Sequence, residues 1–307
     1  MATYLVTCAT GQQGSAIIKY LIIAGVKIHA VVRNIHSDKS RQLESQGVQL
    51  FEGDNDNFDL FREAARGCKG LYLNLQLSPT DPTAQQRQAH GIVSACKEAG
   101  VETIVLSTAY FTGNRSKWDN DLGKESGVWG YYTAKAQMED AVREAGVKHY
   151  TILRPAWFYS NYLLPYSTLP FPSFAEAGEL VHSYDVGTKM SHIDEDTIGN
   201  YAAAALLDPE KFNGQEIELG GENLTIDEVA DILRKVSGYN VRVRKRTPAE
   251  VLAAKNVVPT QVFNLLANEV DLSIDGESIQ RKYGIHMTGF EEYLEREKRQ
   301  LRVSLPF

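Results

Sequence analysis

The chain has 307 residues, 43% hydrophobic and 23% charged, an ordinary globular composition with room for a full doubly wound domain and a smaller companion. A formal net charge of -7 argues against a nucleic-acid surface as its main business, and the basic run Arg242-Val243-Arg244-Lys245-Arg246 reads as a solvated strand edge. The first strand begins within about four residues of Met1 and no apolar run reaches the length of a membrane span, so the expectation is a cytoplasmic protein with neither a membrane nor a nucleic-acid partner.

Tyr4-Leu5-Val6 runs into the small-residue turn Thr7-Cys8-Ala9-Thr10-Gly11-Gln12-Gln13-Gly14. The turn opens a helical pattern with apolar Ile17, Ile18, Leu21 and Ile22, which Gly25 closes before a second apolar run, His29-Ala30-Val31-Val32-Arg33. This order of signals is a nucleotide-binding βαβ unit. Residues without bulk let the backbone approach a pyrophosphate, and free N–H groups at a helix start attract the anion. The end of the second strand then selects the cofactor. An Asp or Glu there, about 20 residues past the glycines, would accept from an NAD ribose hydroxyl. Here stand Arg33, Lys39 and Arg41, whose cations suit a 2′-phosphate, so NADP(H) is favoured over NAD(H).

Further along, a helix over 40–46, a strand over 48–52, a helix over 58–65 and a strand over 70–75 are predicted. They are followed by a helix from about 83 to 99, a strand over 103–107, a helix over 132–144 and a strand over 150–154. Strands alternating with helices predict an α/β fold, a doubly wound parallel sheet of Rossmann type with ligands at the carboxyl ends of the strands. Beyond Arg154-Pro155 the texture changes. The segment 157–174 is rich in aromatics and proline, and two readings stand level: a pocket lining for an apolar or aromatic compound, or the core of a small domain. A helix of alanines over 201–207 and a strand over 214–219 resume the pattern, and Thr225 with Glu228 forms a capping box. The domain expectation is a dinucleotide domain over 1–155, completed by roughly 194–221, and a smaller carboxyl-terminal α/β domain for the substrate over 156–193 and 222–307.

Tyr131-Tyr132-Thr133-Ala134-Lys135 contains Tyr-x-x-x-Lys, and Ser107-Thr108 closes a strand upstream of it. Four residues on a helix put Tyr131 and Lys135 on one face. Such a pair suits hydride chemistry on a carbonyl: the phenol gives a proton to the developing alkoxide, the ammonium lowers the phenol pKa and holds the nicotinamide ribose, and a hydroxyl of Thr108 or Ser107 orients the carbonyl oxygen. Cys8, Cys68 and Cys96 show no Cys-x-x-Cys spacing and no histidine cluster, and read as reduced structural thiols without metal.

With these residues in view, the chain resembles the short-chain dehydrogenase/reductase superfamily, in its atypical NmrA-like branch, whose relatives include isoflavone-reductase-like enzymes and NADP(H)-sensing regulators. The resemblance rests on 8–14, Val32-Arg33-Asn34, Gly53-Asp54-Asn55-Asp56, Leu153-Arg154-Pro155, and Ile193 to Gly199 leading to Leu207-Asp208-Pro209 and Gly214-Gln215. It implies that Thr10, Gly11, Gln12, Gln13 and Gly14 hold the pyrophosphate, Arg33 and Lys39 the 2′-phosphate, and Asp54 with Asn55 the adenine side. Asn74, Lys135 and Pro155 complete the cofactor contacts. Two departures stand out: Cys8 replaces the family's first glycine, and Tyr131 is present where many NmrA-like proteins lack the tyrosine. The reading is an NADP(H)-dependent oxidoreductase acting on a carbonyl or conjugated double bond of a small, aromatic or polyketide-like compound. Its rivals are a catalytically silent NADP(H) sensor that binds a protein partner or a second copy of itself, and a non-redox isomerase or lyase on the same fold.

Overall fold

In a computed structural model, which describes residues 1–307 apart from 79, 256 and 307, strand and helix alternate as expected. The amino-terminal part contains β1 (Thr3–Val6), α1 (Gln12–Ile23), β2 (Lys27–Val32), α2 (Asp38–Ser45), β3 (Gln49–Glu52), α3 (Phe58–Ala64), β4 (Gly70–Leu73), α4 (Ala84–Glu98) and β5 (Thr103–Ser107). There follow α5 (Asp121–Ser126), α6 (Val128–Glu144), β6 (His149–Pro155), β7 (Trp157–Phe158), α7 (Phe174–Ala177), β8 (Glu179–His182) and β9 (Met190–Ile193). Then come α8 (Glu195–Leu207), α9 (Pro209–Phe212), β10 (Gln215–Leu219), β11 (Glu222–Leu224), α10 (Ile226–Ser237) and β12 (Arg242–Lys245). Helix α6 starts a turn earlier than predicted, which places Tyr131 on it. Helix α8 also starts early, because Glu195 and Asp196 supply the negative first turn that a helix dipole favours. Among the described residues no helix is long and apolar enough to cross a membrane.

The chain forms two compact units, one of residues 1–113, 132–155 and 195–218, the other of 114–131, 156–194 and 219–307. This corrects one expected boundary: 114–131 belongs with the second unit. The cause is packing, since the Tyr131 ring meets Phe263 edge-on with centroids 5.3 Å apart and Lys117 donates to the Asp271 carbonyl.

The first unit is a seven-stranded sheet in the order β10-β6-β5-β4-β1-β2-β3. The registered pairs from β6 across to β3 are all parallel. Strands β4 and β5 are buried along their length, as continuous apolar runs covered on both faces must be. On one face Phe61, Ile92, Cys96, Met138 and Val142 from α3, α4 and α6 pack on Leu5, Leu71, Leu73, Ile104 and Leu106. Each fully buried aliphatic side chain contributes about 1.5–3 kcal/mol. Elsewhere in this unit α1 and α8 meet at Gly199, where a Cβ would stand 2.5 Å from the Ala16 carbonyl carbon. Only glycine allows that approach, and it fixes α1 behind the β1 turn. Strand order reverses at β1, with β4 on one side and β2 on the other, so the carboxyl ends of β1, β2, β4 and β5 frame a ligand crevice.

The second unit holds a three-stranded sheet, β11-β9-β7, and the parallel pair β12-β8. The basic run is indeed a strand edge: Arg244 pairs with Glu250 at 2.9 Å and Lys245 with Asp185 at 2.5 Å, while Arg246 is buried. The Thr225–Glu228 capping box opens α10. The aromatic segment resolves in favour of a core. Tyr159, Tyr162, Phe171 and Phe174 are all buried, Tyr159 stacks on Phe290 at 4.9 Å, and the Tyr162 hydroxyl lies 2.9 Å from His192 Nε2. Because Met190 O, 2.8 Å from His192 Nδ1, can only accept, Nδ1 carries the imidazole proton and Nε2 accepts from Tyr162.

Candidate cofactor-binding and active site

The β1 turn is built on Cys8. Its φ of +49° lies in the left-handed region, where a side chain costs about 1–2 kcal/mol, so the glycine position of the family keeps its backbone shape with a thiol in place. The Gly11 N–H donates to Cys8 O at 2.9 Å, and a Cβ on Gly14 would stand 2.1 Å from that same oxygen. Gly14 is therefore obligatory, and the loop folds tightly over the start of α1. The N-cap Gly11 has no side-chain cap and the first turn of α1 has no acidic residue, which leaves the helix dipole open to an anion. Thr7 anchors the other side: its Oγ1 donates to Asn74 O at 2.9 Å and accepts from the Asn74 N–H at 2.7 Å. The Cys8 thiol donates to Asn74 O at 3.1 Å. Burial pushes this thiol up despite the lowering pull of Lys135 and Arg33, so Cys8 stays protonated and structural. Cys68 and Cys96 are likewise free and buried, with burial pushing Cys68 up to about 12.

At the end of β2 Arg33 is exposed, and no ion pair engages it among the described residues. Lys39, on α2, donates to Thr10 O at 3.2 Å, which ties the α2 cation to the β1 loop. Between α1 and α2 runs a cavity of about 550 Å³ lined by Thr10, Ser15, Lys39, Gln42, Leu43 and Ile22, among others. At the end of β3 the Asp54 carboxylate accepts from the Asp56 N–H at 2.9 Å, closing an Asx turn with Asn55 inside it. Gln12 points elsewhere in the unit, to Glu195 at 2.8 Å. Pro155 is buried at the end of β6, where its carbonyl accepts from the Tyr110 N–H at 3.0 Å.

The β4, β5 and α6 residues gather at the other side of the crevice. Lys135 is 6% exposed and donates to Leu75 O at 3.3 Å, an oxygen that also accepts from Gln85 Nε2 at 2.8 Å. Burial presses the Lys135 pKa down to about 8, against an opposing pull from Cys8, so the Tyr-Lys helix presents its lysine within electrostatic reach of the dinucleotide loop. Tyr131, one turn earlier, is governed by burial, which pushes it up to about 12. This corrects the expectation that Lys135 lowers the phenol pKa. Desolvation dominates, and the phenol keeps its proton at neutral pH.

Ser107 and Thr108 are both buried, and both hydroxyls are already engaged. Ser107 donates to Gln13 Oε1 at 2.6 Å, and Thr108 to Glu139 Oε1 at 2.8 Å. The Thr108 hydroxyl, expected to orient a substrate oxygen, thus gives its proton to a carboxylate inside the first unit. Glu139, a helical turn beyond Lys135, also accepts from Arg154 Nε at 2.9 Å and Nη2 at 2.7 Å, and Arg154 reaches Glu218 at 3.3 Å. Gly113 packs on the same guanidinium, where a Cβ would stand 2.4 Å from Nη2. Sequence reading named Arg154 only within a motif and missed Glu139, whose spacing from Lys135 was the available signal. It also missed Tyr72, whose hydroxyl donates to Gln13 Oε1 at 2.8 Å.

A glycine-dependent turn at the start of α1, flanked by the carboxyl ends of a parallel sheet, defines a protein of the doubly wound α/β class. The NmrA-like family model matches residues 2–294, and the chain belongs to that family. It is 24% identical over 249 residues to an NmrA-like family domain-containing oxidoreductase of Malbranchea aurantiaca, covering 76% of this chain and 72% of that one. Among solved structures, it is similar to an NADPH-dependent quinone oxidoreductase of Escherichia coli complexed with NADPH, with a TM-score of 0.75 and 23% identity over 96% of this chain and 99% of that one. It is similar as well to NmrA, a negative transcriptional regulator, in complex with NADP, with a TM-score of 0.75 and 18% identity over 97% of this chain and 96% of that one.

Proposed function

We propose that the protein is an NADP(H)-dependent oxidoreductase that reduces a carbonyl or conjugated double bond of a small aromatic compound. The observation that carries the reading is Lys135, buried and held at Leu75 O on the helix that also bears Tyr131, with its charge felt at Cys8 in the phosphate loop. The turn suits a pyrophosphate: the missing Cβ at Gly14 lets the Cys8–Ala9 backbone close onto the start of α1, and neither an acid nor a side-chain cap occupies that helix start. Arg33 and Lys39 would hold the 2′-phosphate, with Asp54 and Asn55 toward the adenine and Asn74 and Lys135 toward the nicotinamide ribose. NADPH, when bound, supplies the hydride. Tyr131 would supply the proton: pushed up to about 12 by burial, the phenol is a weaker acid than free tyrosine but is fully protonated at neutral pH and can still protonate an alkoxide, which is the stronger base. The names of the oxidoreductase relative and the quinone oxidoreductase agree with this class.

The test is a titration of NADPH and NADH by nicotinamide fluorescence, followed by a screen of quinones, aromatic ketones and conjugated carbonyls for NADPH oxidation. An unshielded phosphate–arginine contact contributes roughly 1.5–3 kcal/mol, so NADPH should bind about tenfold or more tighter than NADH, and Arg33→Ala should erase the difference. Tyr131→Phe should leave the NADPH Kd within about threefold while turnover falls about 10²- to 10⁴-fold. Equal cofactor affinities, or a Tyr131→Phe protein as fast as the parent, would refute the reading. NADPH binding with no turnover on a broad screen would transfer it to the sensor class.

A further inference from the structure

The donors at the β5 end can be counted. A serine and a threonine close the strand, yet each hydroxyl proton is committed inside the protein, Ser107 to Gln13 Oε1 at 2.6 Å and Thr108 to Glu139 Oε1 at 2.8 Å. The Tyr72 hydroxyl, fully buried, donates to the same Gln13 oxygen at 2.8 Å. The two hydroxyls also lie within hydrogen-bond reach of each other, so together they hold the one carboxamide oxygen. That fixes the Gln13 amide plane, and the –NH₂ group is turned away from both hydroxyls. Gln13 is only half-buried, and its Nε2 has no partner among the described residues. Its oxygen sits at the ends of β4 and β5, on the opposite side of β1 from β2 and Arg33.

We infer that the Gln13 carboxamide N–H, and neither β5 hydroxyl, is the neutral donor this chain presents to the acceptor oxygen of its substrate, with Ser107 and Tyr72 as positioning residues that hold the amide plane. The inference rests on the reductase reading and deepens it: the ligand carries a carbonyl-type oxygen at the reacting end. A preorganised amide donor stabilises negative charge as it develops on that oxygen and transfers no proton, while the proton comes from the acid on α6. Two anchors on one oxygen leave the amide little freedom to reorient. The loss of one anchor is therefore milder than the loss of the donor.

The test compares Gln13→Met with Ser107→Ala in the full-length protein, with 1,4-naphthoquinone and NADPH as probes. Gln13→Met should lower kcat about 10- to 100-fold with the NADPH Kd within about threefold, and Ser107→Ala should cost less than about tenfold. If Ser107 were the donor, the order would invert, because Gln13→Met would release its hydroxyl. A second readout needs no turnover. The side-chain amide resonance of Gln13, assigned in ¹⁵N-glutamine-labelled protein by its absence in Gln13→Met, should shift when 1,4-naphthoquinone is added to the NADP⁺ complex. A Ser107→Ala loss equal to or larger than that of Gln13→Met, or an unmoved Gln13 amide signal, overturns the inference. NADPH oxidation by the parent is scored separately: if it is absent while the amide signal moves, the reductase reading fails and the donor assignment stands.

Discussion

Lys135 offers the most quantitative test of the site. Burial brings its pKa from 10.5 to about 8, a difference of about 3 kcal/mol at about 1.4 kcal/mol per unit, lodged in the folded state whenever the ammonium is charged. Because the folded value lies below the unfolded one, the unfolded chain binds the extra proton between about 8 and 10.5. Stability contributed by this residue therefore rises with pH across that window and is level on either side. With ε-¹³C-lysine labelling, one resonance should titrate near pH 8, apart from the others, and vanish in Lys135→Met. Urea unfolding of parent and variant from pH 7 to 10.5 should show the parent gaining on the variant by up to about 1.4 kcal/mol per pH unit. Saturating NADPH should raise the midpoint, as ribose oxygens accepting from the ammonium favour its charged form. A Lys135 midpoint above pH 10, or a parent–variant difference that stays flat through the window, would refute the claim that the lysine is desolvated beside the dinucleotide loop.

The phosphate loop and its neighbours yield two more expectations. Cys8→Gly should relieve the left-handed strain at φ +49° and keep both stability, within about 1 kcal/mol, and NADPH affinity, whereas Gly14→Ala drives a Cβ to 2.1 Å from Cys8 O and should weaken NADPH binding by about tenfold or more; calorimetry with NADPH separates the two. Loss of turnover in Cys8→Ser with normal binding would instead make the thiol chemical. Arg154→Met leaves Glu139, 1% exposed, without its main counter-ion and should cost about 3–5 kcal/mol in chemical denaturation; a loss under about 1 kcal/mol would show that the cluster does not hold α6 to β5 and β6.

The local pattern of the chain determined the class of fold and pointed to the turn at which we propose the cofactor. Alternating apolar strands and helical faces are short-range signals, and the turn from Thr7 to Gly14 announces its purpose because steric limits at Cys8 and Gly14 act between residues close in sequence. Arg33 and Lys39 are placed by the same short-range signal, standing just beyond a strand whose end is easily read. What hydroxyls and carboxylates do depends on partners far away in the chain. The Thr108 proton goes to Glu139, 31 residues on, and the Gln13 side-chain oxygen is held by Tyr72 and Ser107, 59 and 94 residues away, partners that no local pattern announces. The aromatic run after Pro155 was ambiguous for a similar reason, since Phe290 and His192, which receive Tyr159 and Tyr162, lie far along the chain. The Tyr131 pKa was misjudged because sequence displays the neighbouring charge and conceals the desolvation, and burial, which only the tertiary structure decides, outweighs a lysine one turn away.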